Sequence, residues 1–122
     1  LETQYGEGQV AASQSIAENY ITEGCVGIFG CNEGGTTGTG NAIKESDSKV
    51  VGVGFDKSDA ILQLIKDGSL LATMAQNPYN MGYDGIMSAV KVLQGESIPE
   101  DMKDVDTGVT VVDAAYLEKE GI

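Results

Sequence analysis

Polar side chains follow three apolar runs of the sequence, each at the point where the run ends. Asn32 follows GIFGC, Asp56 follows VVGVGF, and Gln76 follows LLATMA. An amide both donates and accepts hydrogen bonds, and a carboxylate accepts from two hydroxyls, so this set suits the neighbouring hydroxyls of a polyol. Phe55, directly before Asp56, is a weaker candidate: it would either cover an apolar face of such a ligand or belong to the core.

These side chains also have a purely structural interpretation. Asn and Asp are preferred residues at helix N-termini, and a predicted helix follows both Asn32 and Asp56, so capping alone would explain either one. Gln76 is a poor capping residue. We therefore interpret the three together as a binding edge.

The glycine-rich stretch GIFGCNEGGTTGTG, residues 27–40, does not have the spacing of a phosphate loop. Gly30 and Gly35 are spaced as in a Walker loop, but the lysine that such a loop requires is missing. No set of glycines here matches the dinucleotide fingerprint, and Glu33 places a carboxylate where a phosphate would bind. We expect these glycines to let a helix lie close to the sheet.

The sequence offers few residues that could form a catalytic, metal or cofactor site. The sequence has no histidine, and Cys25 and Cys31 would lie about 20 Å apart on an extended strand, so we expect two free thiols, each a small core residue. Glu33 and Asp56 form the one carboxylate pair near the binding edge, and we do not favour a glycosidase. A phospho-accepting receiver domain is not favoured either, because its acidic pair and its lysine are not visible. We predict no catalytic residue, no metal site and no cofactor.

The composition excludes several classes of partner. With 7 basic and 19 acidic residues the net charge is -12, which would repel nucleic acid and anionic membranes. At 122 residues and 41% apolar, the chain can form at most one folded domain. It opens on ETQY, which is typical of the end of a strand, so we expect the sequence to begin inside a domain.

The order of the elements predicts an α/β fold. We predict strands over 25–31, 50–55, 70–76 and 105–113, and helices over 9–24, 36–45, 58–68, 78–94 and 114–122. Strand starts near Val26, Val50 and Leu70, each followed by a helix, indicate right-handed βαβ units in an open parallel sheet with helices on both faces. Ligands of such sheets bind beyond the carboxyl ends of the strands, where Asn32, Asp56 and Gln76 fall.

Four segments resemble the ribose-type periplasmic sugar-binding proteins of ABC importers: GIFGCNEG, KVVGVGFD, DGSLLATMAQNPYNMGYDG and DTGVTVV. The resemblance covers nearly the whole chain, with the motifs in the right order and spacing. It implies ligand hydrogen bonds from Asn32, Asp56 and Gln76, the same residues that follow the strands. It also implies the Rossmann-like, three-layer lobe of a type I binding protein, here incomplete.

The family's architecture implies how this chain is divided. Residues 1–75 would belong to the C-terminal lobe, 76–104 would be a hinge-crossing segment, and 105–122 a return strand and terminal helix. The helix of the crossing segment would normally pack on an N-terminal lobe that is missing here. We expect its apolar face, formed by Met81, Ile86, Val90 and Leu93, to be covered by self-association, by exchange between chains or by refolding.

The resemblance implies an extracytoplasmic solute-binding protein that captures a monosaccharide or related polyol between two lobes and delivers it to a membrane permease. Such a protein would be periplasmic, or a cell-surface lipoprotein in a Gram-positive organism. A sugar-sensing effector domain of a LacI-type transcription repressor shares the fold and the polar edge, and the input domain of a sensor kinase is a third interpretation. TMAQNPYNMGYDG resembles the binding proteins more than the repressors, which favours transport.

Overall fold

A computed structural model of the 122-residue chain describes residues 1–97 and 104–122, so residues 98–103 of the predicted loop and crossing segment lie outside the described ranges. The elements alternate in the predicted order. They are α1 Val10–Thr22, β1 Gly27–Gly30, α2 Glu33–Ser46, β2 Val51–Phe55, α3 Asp59–Lys66, β3 Ala72–Gln76, α4 Pro78–Leu93, β4 Val109–Asp113 and α5 Ala114–Glu120.

The four strands form one sheet in the order β1-β2-β3-β4. β1 pairs with β2 in parallel, with Ile28 opposite Gly52, and β2 pairs with β3 in parallel, with Gly54 opposite Thr73. The predicted α/β fold with parallel βαβ units is thus confirmed. The chain divides into two compact units, Leu1–Ala75 with Thr110–Ile122, and Gln76–Val109.

The core of the first unit forms where α3 and α5 pack on the sheet. Ser58 caps α3 by accepting a hydrogen bond from the Ile61 N–H, so Ser58 rather than Asp56 is the capping residue here. The apolar side of α3 is then buried against the end of the sheet and against α5. The members of this cluster are Ile61, Leu62, Leu64, Ile65, Leu70, Ala75, Val112 and Leu117.

Glycines bring α2 into close contact with its neighbours, as the sequence predicts. A Cβ atom on Gly38 would lie 2.6 Å from the backbone nitrogen of Gln14 in α1, and one on Gly54 would overlap the side chain of Thr36. At both positions the neighbouring atoms leave no space for a side chain. The absence of side chains therefore lets α2 lie directly against α1 on one side and β2 on the other.

The helices of the first unit contact one face of the sheet. Ile28 on this face packs with Ala17 of α1 and Ala42 of α2. Residues of the opposite face retain large exposed fractions: 50% for Phe29, 48% for Val51 and 57% for Val111. Within the described part of this unit, the helices therefore cover one of the two faces.

Two local expectations differ from the structure. The stretch ETQY forms no strand, because it has no hydrogen-bonded strand beside it in the described residues: β1, at the edge of the sheet, pairs with β2. α2 begins at Glu33 rather than at residue 36, because the side chain of Asn32 caps it just after β1.

None of the helices in the described ranges combines the length and apolar character that crossing a bilayer requires.

The second unit consists largely of α4, which begins at Pro78 with Asn77 as its cap. The side chains predicted to form its apolar face are substantially exposed. The exposed fractions are 45% for Met81, 67% for Ile86, 37% for Val90 and 87% for Leu93. That this face is covered by self-association, by exchange between chains or by refolding stays a prediction.

One ion pair makes the stability of the fold depend on pH in the acid range. Lys44 in the last turn of α2 bonds to Asp67 at 2.6 Å, and the Ser69 hydroxyl donates to the same carboxylate. The hydrogen bond from Lys44, followed by that from Ser69, lowers the pKa of Asp67 below its ordinary value. The proton therefore dissociates from Asp67 more readily in the folded state than in the unfolded state. The ionised carboxylate stabilises the fold above about pH 4, and this contribution to the stability is lost as the pH falls further.

We expect Asp67→Asn to lower the free energy of unfolding by less than about 1 kcal/mol at pH 7, because the pair is partly solvated. The difference from the unsubstituted chain should shrink as the pH falls below about 4 and should disappear once the carboxyl group is protonated in both states. Urea titrations at several pH values measure it. A difference that persists unchanged at the acid end would show that the carboxylate charge is not its cause.

Candidate functional site

Asn32 lies two residues beyond the end of β1 and caps α2. Its Oδ1 atom accepts a hydrogen bond from the Gly35 N–H at 2.8 Å, and its backbone carbonyl accepts from the Thr36 N–H. Its side chain is exposed. The structural interpretation of Asn32 as a cap is therefore correct. The cap uses the oxygen alone, and the amide nitrogen Nδ2 makes no hydrogen bond within the described residues.

Asp56 lies directly beyond the end of β2 and is fixed at three points. Its backbone N–H donates to the Met74 carbonyl, its own carbonyl accepts from the Thr73 hydroxyl, and its Oδ2 atom accepts from the Glu33 N–H at 2.8 Å. Its φ angle of 71° lies in the left-handed region, where non-glycine residues are uncommon. Backbone strain of this kind is retained where surrounding contacts hold it, and here it aims the carboxylate at the first turn of α2.

Asn32 and Asp56 therefore meet at the same helix end and share its backbone donors. Asp56 takes the Glu33 N–H and Asn32 takes the Gly35 N–H. The carboxylate at this end also disfavours a phosphate. Among the described residues, Nδ2 of Asn32 and Oδ1 of Asp56 have no hydrogen-bond partner. One donor group and one anionic acceptor thus remain for a ligand with hydroxyls.

A buried threonine joins the strand ends that carry these residues. The hydroxyl of Thr36, whose residue is fully buried, accepts from the Phe55 N–H at 2.9 Å. The same oxygen lies 2.9 Å from the Phe55 carbonyl oxygen and 3.3 Å from that of Gly30, either of which can receive its single proton. Thr36 therefore fixes the end of β2 against the end of β1, and with them the positions of Asp56 and Asn32.

Two aromatic rings lie beside this edge on the partly exposed face of the sheet. Phe55 and Phe29 pack edge to face, with ring centroids 5.8 Å apart and an interplanar angle of 82°. Phe55 is half-buried and Phe29 is 50% exposed. The rings offer an apolar surface next to Asp56. That Phe55 covers a ligand stays a prediction.

Gln76 is exposed and is the last residue of β3. It belongs to the second unit, whereas Asn32 and Asp56 belong to the first. The structure thus brings two of the three predicted polar residues to one helix end.

Sequence reasoning missed Thr36, Thr73 and Phe29. Threonine has no signature that separates a buried hydroxyl from a solvated one, and both threonines act on backbone groups that become neighbours only in the folded sheet. Phe29 could have been predicted from the sequence, because strand alternation places it on the face of the sheet opposite to that of the buried Ile28. Both cysteines are free thiols as expected, but Cys31 is exposed rather than in the core, because it lies beyond the last residue of β1.

A groove with a volume of about 690 Å³ lies beside β1 within the first unit. Residues 1–8 form one wall and β1 the other, α1 contributes residues such as Ala17 and Tyr20, and Asn32 is at its end. No cluster of three metal-ligating side chains occurs among the residues for which the structure gives positions.

Comparison with known proteins gives a consistent match. Residues 1–97 match the family described as periplasmic binding protein domain. The ribose import binding protein RbsB of Haemophilus influenzae is 37% identical, in an alignment that covers 73% of this chain and 32% of that protein. The chain spans about a third of the length of this relative.

Solved structures match over almost the whole chain. An ABC transporter solute-binding protein from Agrobacterium vitis with bound D-fucose is 32% identical with a TM-score of 0.85, covering 99% of this chain and 42% of that one. A carbohydrate transporter solute-binding protein from Agrobacterium radiobacter in complex with D-arabinose is 36% identical with a TM-score of 0.82. The match covers 96% of this chain and 40% of that one.

Proposed function

Because this chain belongs to the periplasmic binding protein family, we propose that it forms part of one lobe of a sugar-binding protein. That protein serves an ABC importer. The ligand is a monosaccharide or related polyol. The relatives are named for ribose import or hold D-fucose and D-arabinose, which supports a ligand of this size and kind.

The observation that carries the proposal is the pair of groups left over at the end of α2. Nδ2 of Asn32 and Oδ1 of Asp56 remain without partners in the described residues, while the other oxygens of both side chains are fixed by backbone N–H groups. A fixed donor beside a fixed anionic acceptor can bond to hydroxyls of one sugar without first losing side-chain freedom. Phe55 and Phe29 would cover an apolar face of the ring.

Gln76 completes the set that we propose for ligand contacts. It ends β3 as Asp56 follows β2, and carboxyl ends of neighbouring parallel strands form the binding edge of such sheets. We further propose that residues 76–104 connect this lobe to a second lobe, and that closure of the lobes traps the sugar for a membrane permease. Delivery to a permease implies a location in the periplasm or on the cell surface.

The direct test is calorimetric titration of the full-length protein that contains this chain with a panel of aldoses, ketoses and polyols. The panel includes D-ribose, D-arabinose and D-fucose. We expect saturable heat from one sugar or a few closely related ones, with a stoichiometry of one. Absence of binding heat from every sugar would contradict the proposal and leave Asn32 and Asp56 as structural caps.

A further inference from the structure

Thr73 is a buried polar residue whose hydroxyl bonds to the residue that follows β2. It is the second residue of β3, lies opposite Gly54 of β2, and is fully buried. Its Oγ1 atom donates to the backbone carbonyl of Asp56 at 2.8 Å. Valine has nearly the same shape and would fill this position in the sheet without a polar atom to satisfy. The hydroxyl therefore matters for the group that it holds.

Asp56 has a backbone conformation that neither a tight turn nor a helix end explains. Three non-glycine residues in the described ranges have a positive φ: Glu7 at 50°, Asp47 at 47° and Asp56 at 71°. Glu7 lies inside a tight turn that is closed by a backbone hydrogen bond, and Asp47 is the C-terminal cap of α2. Asp56 instead directly follows a strand, and its N–H still bonds to the Met74 carbonyl of β3. Its conformation therefore depends on contacts from elsewhere in the fold.

The Thr73 hydroxyl supplies such a contact on the carbonyl side of Asp56. In a regular parallel ladder, the N–H and the carbonyl of one residue both bond to the backbone of the neighbouring strand, the carbonyl at a later residue. Here the N–H keeps its ladder bond to Met74, but the carbonyl of Asp56 accepts from the side chain of Thr73, one residue earlier in β3. The two bonds hold the peptide groups on both sides of the Asp56 Cα atom and therefore restrict both φ and ψ.

The left-handed conformation determines where the carboxylate of Asp56 lies. Its Oδ2 atom accepts from the Glu33 N–H at 2.8 Å, and its Oδ1 atom has no partner within the described residues. The direction of a side chain follows from the φ and ψ of its residue, so an extended backbone at Asp56 would carry both oxygens away from the first turn of α2. The carboxylate is thus available to a ligand in one backbone conformation and not in the one that continues the strand.

We propose that Thr73 is a positioning residue for ligand binding, whose buried hydroxyl holds Asp56 in the left-handed conformation that presents Oδ1 to the sugar. Thr73 contacts no ligand itself, because it is fully buried in the sheet. The effect on affinity rests on the proposed function, whereas the effect on the conformation of Asp56 does not.

The size of the effect follows from the population of the binding conformation. A left-handed aspartate is intrinsically disfavoured, so loss of the bond lowers the share of this conformer. A neutral hydrogen bond favours its conformer by a factor of about 3–10. Apparent affinity falls in proportion to the fraction of protein in the binding conformation, so removal of the hydroxyl should weaken sugar binding by about 3- to 10-fold.

The test is calorimetric titration of the full-length protein and its Thr73→Val and Thr73→Ser variants with the sugar that binds best. Valine removes the hydroxyl and serine keeps it, so we expect a loss of about 3- to 10-fold for valine and a change of less than about twofold for serine. Equal affinities of the two variants would overturn the proposal. Thr73→Ala also lacks the hydroxyl and gives the same comparison with serine if the valine variant does not fold.

A matched control separates positioning from lost stability. Ile65 lies in the core at the last turn of α3, and Ile65→Val removes one buried methyl group without touching the candidate site. We expect this variant to bind the sugar with unchanged affinity. A loss as large as that of Thr73→Val would show that reduced stability alone weakens binding, and would overturn the positioning role.

A double substitution shows whether Thr73 acts through Asp56. Asp56→Gly removes the carboxylate and adopts the left-handed conformation without strain, so it needs no hydroxyl to hold it. We expect Thr73→Val to change the affinity of the Asp56→Gly variant by less than about twofold. An equal loss in both backgrounds would overturn the proposal, because Thr73 would then act independently of Asp56.

Amide hydrogen exchange without ligand separates this inference from the proposed function. The Glu33 N–H is bonded to Oδ2 of Asp56, whereas the Gly35 N–H at the same helix end is bonded to Asn32. We expect Thr73→Val to raise exchange at Glu33 by about 3- to 10-fold relative to Gly35, and Thr73→Ser to leave this ratio unchanged. If no sugar binds to the unsubstituted protein, the proposed function fails and the ratio still decides. An unchanged ratio in Thr73→Val would overturn the positioning role of Thr73.

Discussion

Replacing Thr36 by valine should lower the free energy of unfolding by about 2–4 kcal/mol, the largest effect on stability that we expect from a single hydroxyl in this chain. Valine fills the same space but cannot bond. The Phe55 N–H would lose its acceptor, and whichever of the Phe55 and Gly30 carbonyls receives the hydroxyl proton would lose its donor, in a region where Thr36 is fully buried.

Thr36→Ser is the matched control, because it keeps the hydroxyl and removes one methyl group. We expect it to cost about 1 kcal/mol, the value of a buried methyl. Urea unfolding at pH 7, followed by far-ultraviolet circular dichroism, measures both variants. If the valine and serine variants are equally stable, the hydroxyl does not join the strand ends.

Replacing Asp56 by asparagine in the full-length protein should reduce sugar affinity by about 10- to 150-fold, because a hydrogen bond to a charged group contributes about 1.5–3 kcal/mol. Asparagine keeps an oxygen for the Glu33 N–H and tolerates the left-handed backbone at φ 71°. It replaces the open Oδ1 acceptor by an NH₂ group. The loss should therefore fall on ligand binding, with stability nearly unchanged.

Asp56→Ala separates the two roles of the same side chain. It removes the acceptor for the Glu33 N–H as well, so we expect a comparable loss of affinity together with a loss of about 1–2 kcal/mol in stability. Calorimetry with the sugar that binds best and urea unfolding of the same samples provide both values. An asparagine variant with unchanged affinity would show that Asp56 acts only at the helix end.

The elements were predictable because each carries a local signal. The apolar side of α3, with Ser58 before it and Gly68 after it, shows its period and its ends in the sequence alone. α2 was harder to place, because its N-terminal half consists of glycines and threonines with no apolar stripe, and its start was predicted three residues late. The beginning of α2 depends on the Asn32 cap, which forms only once β1 has ended.

The candidate site was predictable in its side chains but not in its hydrogen bonds. Asn32 and Asp56 were found because polar residues at strand ends follow directly from the order of the elements. Nothing in the sequence shows that Asp56 bonds to Glu33, which is 23 positions away, or that Thr36 bonds to Phe55. Such contacts depend on the strand register and the helix position to within an ångström, and both are products of tertiary packing.

The glycines of α2 have a consequence for the order of folding. Each of Gly34, Gly35, Gly38 and Gly40 costs about 1 kcal/mol of helix propensity relative to alanine, so this segment has little tendency to nucleate a helix by itself. Its helical form depends on docking against β2 and α1, contacts that these same glycines permit. We therefore expect low φ-values for residues of α2, with the segment that carries Asn32 becoming ordered only after the sheet beneath it has formed.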